Sequence, residues 1–256
     1  MIHIQRPACP KKLTKEVKNN LTHEFINSKK SVWGQTYIKK ALLEMSYSKC
    51  AYCECKLDKE SMYMEVEHFL PKNIYPRHVV EWKNLLPSCK RCNVKKGVHD
   101  PNEESIVNPA EDIPIEHLTM SNFRIKGKNE KGKNTVSVLH LNESDRIYLM
   151  RVNVGNKAID TIENLLRRAE NIESKKDTSV ENRNAVKNGA LQLLKEAQKD
   201  AEYAATVSTM LFTTDDFFEL KETMVRLNLW QDDHQELFIA AEKNTLVKSV
   251  HPSTVG

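Results

Sequence analysis

Two Cys-x-x-Cys pairs, Cys50-Ala-Tyr-Cys53 and Cys89-Lys-Arg-Cys92, enclose a Glu67-His68 dipeptide and Asn84, and Asn93 directly follows the last cysteine. Each two-residue gap lets a tight turn aim both sulfurs at one point. Four thiolates fill the tetrahedral shell of a structural Zn2+ and leave no position for water. Such a metal braces the chain and does not itself react, so the chemistry lies in what it encloses. A carboxylate beside an imidazole, with two carboxamides, has the composition of a hydrolytic site. An imidazole ordinarily titrates near neutral pH, which makes His68 the candidate to take a proton from water. The thirty-five residues between the pairs exceed a simple zinc ribbon, so this loop must itself fold. Cys9 and Cys55 lack partners at useful spacing and read as buried thiols, with Cys55 an alternative zinc ligand.

The charge around this region points to a polyanion. The net charge of +4 is small, but from Trp82 to Gly97 the chain carries Lys83, Lys90, Arg91, Lys95 and Lys96 and no acid. A local basic patch beside a hydrolytic constellation is what a nucleic acid favours. No run approaches the roughly 18 apolar residues of a membrane span, and the start Met-Ile-His-Ile-Gln-Arg-Pro lacks the apolar stretch of a secretory signal. A cytoplasmic location is the default expectation. In that reducing setting six cysteines read as metal ligands rather than disulfides.

Positioning these residues requires three stretches of different pattern. Residues 1–48 read mostly as helix, from Leu13, Val17, Leu21 and Phe25 and then Tyr37, Ile38, Ala41, Leu42 and Met45. In residues 49–142, Met62 to Phe69 alternates and predicts a strand ending near His68. Pro71 and Pro76 force a loop, and Lys90–Lys96 predicts a short helix stopped by Gly97. Strands near Asn122–Ile125 and Thr135–Leu139 are expected to flank a turn at Gly127–Gly132. Residues 143–256 show helical stripes at Ala158–Ala169, Val186–Ala197 and Phe217–Leu227. The expected fold class is α+β and predominantly helical: a zinc-braced core between an N-terminal helical segment and a C-terminal helical subdomain.

The ordered set Glu67-His68, Trp82-Lys-Asn84-Leu and Cys89-x-x-Cys92-Asn93-x-x-Lys96-Gly97 resembles the HNH endonuclease motif over roughly residues 50–97. The resemblance implies the ββα-metal arrangement and metal-dependent phosphodiester hydrolysis. It makes His68 the general base and Asn84 the residue that orders the loop orienting it. It makes Glu67 and Asn93 ligands to one catalytic Mg2+ or Mn2+, a hard cation suited to oxygen donors. Many members have Asp before the His. The longer Glu67 alters the reach, and Glu65 is the fallback ligand. Lys83, Lys90, Arg91, Lys95 and Lys96 are candidates for contacting substrate phosphates.

A wider resemblance, through Val66-Glu-His-Phe-Leu-Pro-Lys72, Ile106-Val-Asn-Pro109, Glu116-His-Leu118 and Val138-Leu-His-Leu-Asn142, reaches the PtuB-like nucleases of Septu anti-phage systems. It implies a PtuA-like ATPase partner; most of the apolar stripes after residue 143 read as core, with some exposed amphipathic face left as a docking surface for it. Because such proteins also occur in retron operons, it adds a reverse transcriptase with its retron nucleic acid as a second partner. DNA is the favoured substrate, with tRNA or other RNA the alternative. The competing reading is a zinc-dependent module that binds nucleic acid or protein without cutting.

Overall fold

The computed structural model describes residues 1–57 and 63–248. The chain divides into two units, residues 1–118 with 125–142 and residues 119–124 with 143–256. Helices hold 53% of the residues and, among the described residues, the strands are four and short, which makes the α+β fold predominantly helical.

The first unit begins with an extended strap. Residues 1–14 carry no regular structure, against the expected helix, because Arg6, Pro7 and Pro10 commit the chain to other contacts. Arg6 Nη1 donates to the carbonyls of Trp82 (2.7 Å) and Leu85 (2.8 Å), and Trp82 Nε1 donates to Pro7 O at 2.9 Å. Helix α1 (Lys15–Ser28) starts where Thr14 caps the amide of Val17, and α2 (Thr36–Met45) buries Ile38, Leu42 and Met45. Strand β1 (Met64–His68) pairs antiparallel with β2 (Leu85–Cys89), placing Met64 opposite Cys89 and His68 opposite Leu85. Met62, where the sequence pattern starts, lies outside the described residues. Helix α3 (Lys90–Lys96) follows β2 without a linker, so strand, strand and helix occur in the expected order. Gly97 ends α3 with φ +54°, a left-handed value that strains any side chain larger than hydrogen.

Past α4 (Pro114–His117), the structure departs from the expected strands. The hairpin is β3 (Leu118–Ser121) with β4 (Arg124–Gly127), reversing at Asn122 and Phe123, both at positive φ. Residues expected as a strand at Thr135–Leu139 belong instead to helix α5 (Glu130–Val138). Asn129 caps α5 through Gly132 N, and Thr135 Oγ1 accepts from Val107 N at 2.8 Å. A Cβ on Gly132 would stand 2.0 Å from His117 O, so the helix packs against that backbone only because this residue is glycine.

The second unit is helical after a π-helical turn at Ser144–Tyr148. It comprises α6 (Leu149–Glu173), α7 (Val180–Glu196), α8 (Ala204–Thr213), α9 (Asp215–Arg226) and α10 (Asp232–Glu242). The three expected stripes fall on α6, α7 and α9. Ala158 and Ile162 of α6 meet Leu193, Leu211, Phe212, Phe217 and Phe238 in one cluster. Leu165 and Ala169 meet Val186, Leu220 and Met224 in the next. Each fully buried Leu, Ile or Phe contributes about 1.5–3 kcal/mol, so this unit has a core of its own. No described helix is long and apolar enough to cross a membrane.

Candidate metal-dependent active site

The cysteine pairs converge as their spacing requires. Cys50 and Cys53 sit in a tight reversal closed by Cys50 N–H to Cys55 O (2.9 Å) and Glu54 N–H to Cys50 O (3.0 Å), with Glu54 at φ +65°. Ala51 N–H donates to Pro87 O at 2.9 Å, which docks this knuckle on β2. Cys89 ends β2 and caps α3, its sulfur accepting from Cys92 N at 3.5 Å. The Sγ atoms of Cys50, Cys53, Cys89 and Cys92 all lie within 4.8 Å of one another. Those of Cys53 and Cys89 are 3.8 Å apart, matching the edge of about 3.8 Å that a tetrahedron with Zn–S near 2.3 Å has. Burial and mutual hydrogen bonding push the four thiols in opposite directions, Cys50 and Cys89 below the ordinary thiol range and Cys53 and Cys92 well above it. The donor set fits zinc. Cys55 is buried nearby but stands outside this four-sulfur group.

The same two strands and helix assemble the hydrolytic residues. Glu67 and His68 end β1, Asn93 and Lys96 share one face of α3, and all but Lys96 line a small polar pocket with Lys72, Asn73 and Gly97. His68 Nε2 lies 2.8 Å from Val79 O. A carbonyl only accepts, so Nε2 carries the proton and Nδ1 keeps the lone pair that a general base needs. Among the described residues Nδ1 has no hydrogen-bond partner. Burial lowers the His68 pKa to about 4, helped by the positive charges of Lys72 and Lys96, so the ring is neutral at physiological pH.

Asn84 fixes the loop from which that carbonyl comes. Its Nδ2 donates to Leu70 O (3.1 Å) and His78 O (3.0 Å), and its Oδ1 accepts from Leu70 N (2.6 Å). Its own carbonyl accepts from Phe69 N at 2.9 Å. The chain leaving β1 and the turn before Val79 are thereby tied to one side chain.

Glu67 is 2% exposed, and burial raises its pKa to about 7 despite the opposing charges of Lys96 and Lys72. Lys96 Nζ stands 2.8 Å from Glu67 Oε1 and donates to His68 O at 2.9 Å. Oε1 nevertheless makes no aligned hydrogen bond, which leaves a buried oxygen under-satisfied. The amide side chain of Asn93 has no partner among the described residues. A buried carboxylate whose Oε1 is ion-paired with Lys96 without an aligned hydrogen bond, and a carboxamide with no partner among the described residues, beside a polar pocket, fit a hard divalent cation that keeps most of its water.

The expected phosphate contacts divide. Lys83 and Lys90 are exposed and Lys95 is half-buried. Lys96 is corrected: its side chain is fully buried against Glu67, so it is not presented to a substrate. Arg91 is also committed, donating to Leu139 O (3.1 Å) and His140 O (2.6 Å) and lying 3.7 Å from Cys92 Sγ. Glu65, the fallback ligand, is not among the residues lining the pocket. The sequence reading missed Lys72 and Trp33. The Trp33 ring meets the His68 ring edge-on at 4.8 Å, and Lys72 Nζ lies 5.0 Å from the Trp33 centroid. Lys72 carried a signal, being a base four residues after His68 in a proline-bounded loop. Trp33 carried none.

The HNH endonuclease family model matches residues 50–99, which span the whole of this site. Septu protein PtuB of Bacillus thuringiensis is 52% identical over 251 residues, covering 98% of this chain and 97% of that protein. The chain belongs to the Septu PtuB family. A second Septu protein PtuB, from Bacillus mycoides (strain KBAB4), is 35% identical over 141 residues, covering 42% of this chain and 48% of that protein. This PtuB-family chain therefore carries an HNH endonuclease domain in its first unit, and its second unit is formed by residues 119–124 and 143–256.

Proposed function

We propose that this chain is a metal-dependent endonuclease that hydrolyses phosphodiester bonds as an effector of anti-phage defence. The observation that carries the reading is the His68 geometry: a buried, neutral imidazole with its Nε2 proton tied to Val79 and its Nδ1 free, beside a buried carboxylate. Held this way, Nδ1 accepts a proton from a water that attacks phosphorus. Val79 and Asn84 keep the ring in one tautomer and orientation, so no reorganisation is needed at the moment of reaction. Glu67 and Asn93 would hold one Mg2+ or Mn2+, which when bound supplies Lewis acidity and stabilises the leaving oxygen. Lys96 holds Glu67 and the end of β1 against α3. The four cysteines, with zinc, would keep both strands and the helix in register.

DNA is the favoured substrate, and tRNA or other RNA the alternative, because attack by water does not need the ribose 2′-hydroxyl. The relatives' designation as Septu proteins supports the defence role and a PtuA-like ATPase as partner. The helical unit from residue 143 is the surface we assign to that partner. The retron link, with a reverse transcriptase and its nucleic acid, is the variant of this reading in which the activating signal differs. A zinc-dependent binding module is the competing class, but it has no use for a buried carboxylate and imidazole at a common pocket.

The test is cleavage of supercoiled plasmid and of total tRNA by the chain with its ATPase partner, in Mg2+ or EDTA, against Glu67→Gln. Cleavage of one substrate in Mg2+ alone, lost in the variant, is expected. Tight binding with no Mg2+-dependent strand breaks in either substrate would support the binding module instead.

A further inference from the structure

We propose that Lys72 contacts a non-bridging oxygen of the scissile phosphate and that Trp33 is the positioning residue that holds it there. The inference deepens the nuclease reading and rests on it. Lys72 lines the same pocket as Glu67, His68 and Asn93. The other lysines of this region that enter ion pairs are neutralised: Lys96 by Glu67, Lys18 by Glu81 and Lys131 by Asp112. Lys72 has no carboxylate partner among the described residues. What holds it is the face of Trp33, 5.0 Å from Nζ to the ring centroid, a cation–π contact at a partly exposed site.

The backbone beneath Lys72 is fixed on both sides. Leu70 is bonded twice to Asn84, and Pro71 O accepts from Ile74 N (3.0 Å) and Tyr75 N (2.9 Å). Trp33 is itself wedged between Phe25, at 5.8 Å, and His68, at 4.8 Å, both edge-on. One indole therefore sets the wall against which the base and the cation both lie. An ammonium that no carboxylate reaches within ion-pair distance among the described residues, on a rigid loop at the mouth of a hydrolytic pocket, matches a phosphate oxygen that gains charge in the transition state. It leaves its three donors available, which a bidentate or buried cation would not.

The experiment compares wild type, Lys72→Met, Lys72→Arg, Trp33→Leu and the Lys72→Met/Trp33→Leu double variant, with His68→Ala as control. Each is purified with the ATPase partner and checked for zinc content. Lys72→Met is expected to lower kcat/KM about 100-fold, within the range for losing one transition-state donor, and Lys72→Arg to recover part of it. Trp33→Leu should lower the rate in the same direction, and the double variant should be no slower than the slower single one. In the His68→Ala background, Lys72→Met should reduce the salt slope for binding a duplex oligonucleotide by about one. Should Trp33→Leu fail to fold, Trp33→Phe, which keeps a ring, takes its place with a smaller expected loss.

Lys72→Met cleaving at the wild-type rate, or an unchanged salt slope, overturns the phosphate contact. Losses that multiply in the double variant overturn the positioning role of Trp33. If His68→Ala cleaves as well as wild type, the nuclease reading itself fails and this proposal falls with it. An inactive His68→Ala beside a fully active Lys72→Met overturns the present proposal alone.

Discussion

Lys96 Nζ lies 2.8 Å from Glu67 Oε1, and both side chains are shut away from solvent. A lysine that the sequence presents as one of five bases in a surface run is instead the internal partner of the metal-ligand candidate. Breaking a buried pair by removing one partner strands the other charge, at about 3–5 kcal/mol. Lys96→Met should therefore lower the melting temperature by on the order of 10 °C in a chain of this size. The loss of a charge that holds the Glu67 pKa down should also move the acid limb of the cleavage profile to higher pH. An unchanged melting curve would mean that the pair contributes nothing.

The pH dependence of stability separates the two buried groups. His68 has a folded pKa near 4 against an ordinary 6.5, so its contribution is complete above about 6.5 and is lost as pH falls through about 4. Glu67 has a folded pKa near 7 against an ordinary 4.5, so its contribution is complete below about 4.5 and is lost as pH rises through about 7. Each effect is on the order of 3 kcal/mol. Between those limits the two slopes oppose one another, and protein stripped of catalytic metal should melt at nearly constant temperature. Glu67→Gln should unmask a melting temperature that rises with pH, and His68→Ala one that falls. Parallel curves for all three proteins would contradict these assignments.

Activity should follow the carboxylate and not the ring. Glu67 must ionise to hold a cation, so protons and Mg2+ compete at it, whereas His68 is already neutral well below pH 6. The acid limb of cleavage should lie near pH 7 at limiting Mg2+ and move lower as Mg2+ rises. A limb that ignores Mg2+ would point to a different titrating group.

Asn84 is a loop staple with both ends of its amide used. Asn84→Asp keeps the shape and replaces a double donor by an acceptor facing Leu70 O and His78 O. A loss of about 1–3 kcal/mol is expected, with a larger relative loss of cleavage because the Val79 carbonyl shifts. Thermal melts and single-turnover rates measure both. Full activity in a destabilised protein would detach Asn84 from the orientation of His68.

Zinc and fold should be lost together. Cys50→Ser or Cys92→Ser is expected to abolish zinc binding and collapse the first unit, whereas Cys55→Ala, outside the four-sulfur group, should retain one zinc per chain. Metal analysis with circular dichroism tests this directly. Retained zinc in Cys50→Ser with loss in Cys55→Ala would exchange their roles.

What could be read from the sequence was whatever is encoded locally. The cysteine spacings, the β1-to-His68 alternation and the Gly97 stop each depend on a few neighbouring residues, and the stripes of α6, α7 and α9 on a simple helical period. Helix α8 gave no stripe because it is buried nearly all round, and a helix without a polar face has no period to detect. Thr135-Val-Ser-Val138 looks like a strand by composition, but the Asn129 cap and the Val107-to-Thr135 bond make it helix. The burial of Lys96 follows from its standing one turn after Asn93, a relation hidden inside a basic run. Trp33 reaches His68 from a separate segment, and only the tertiary fold brings them together.

The most direct measurement compares wild type with His68→Ala, each with its ATPase partner, for Mg2+-dependent strand cleavage and for bound zinc. His68 is predicted to supply the base: the variant should lose at least 100-fold in rate while keeping its zinc and its nucleic-acid affinity. Equal cleavage by the two proteins at equal zinc content would contradict it.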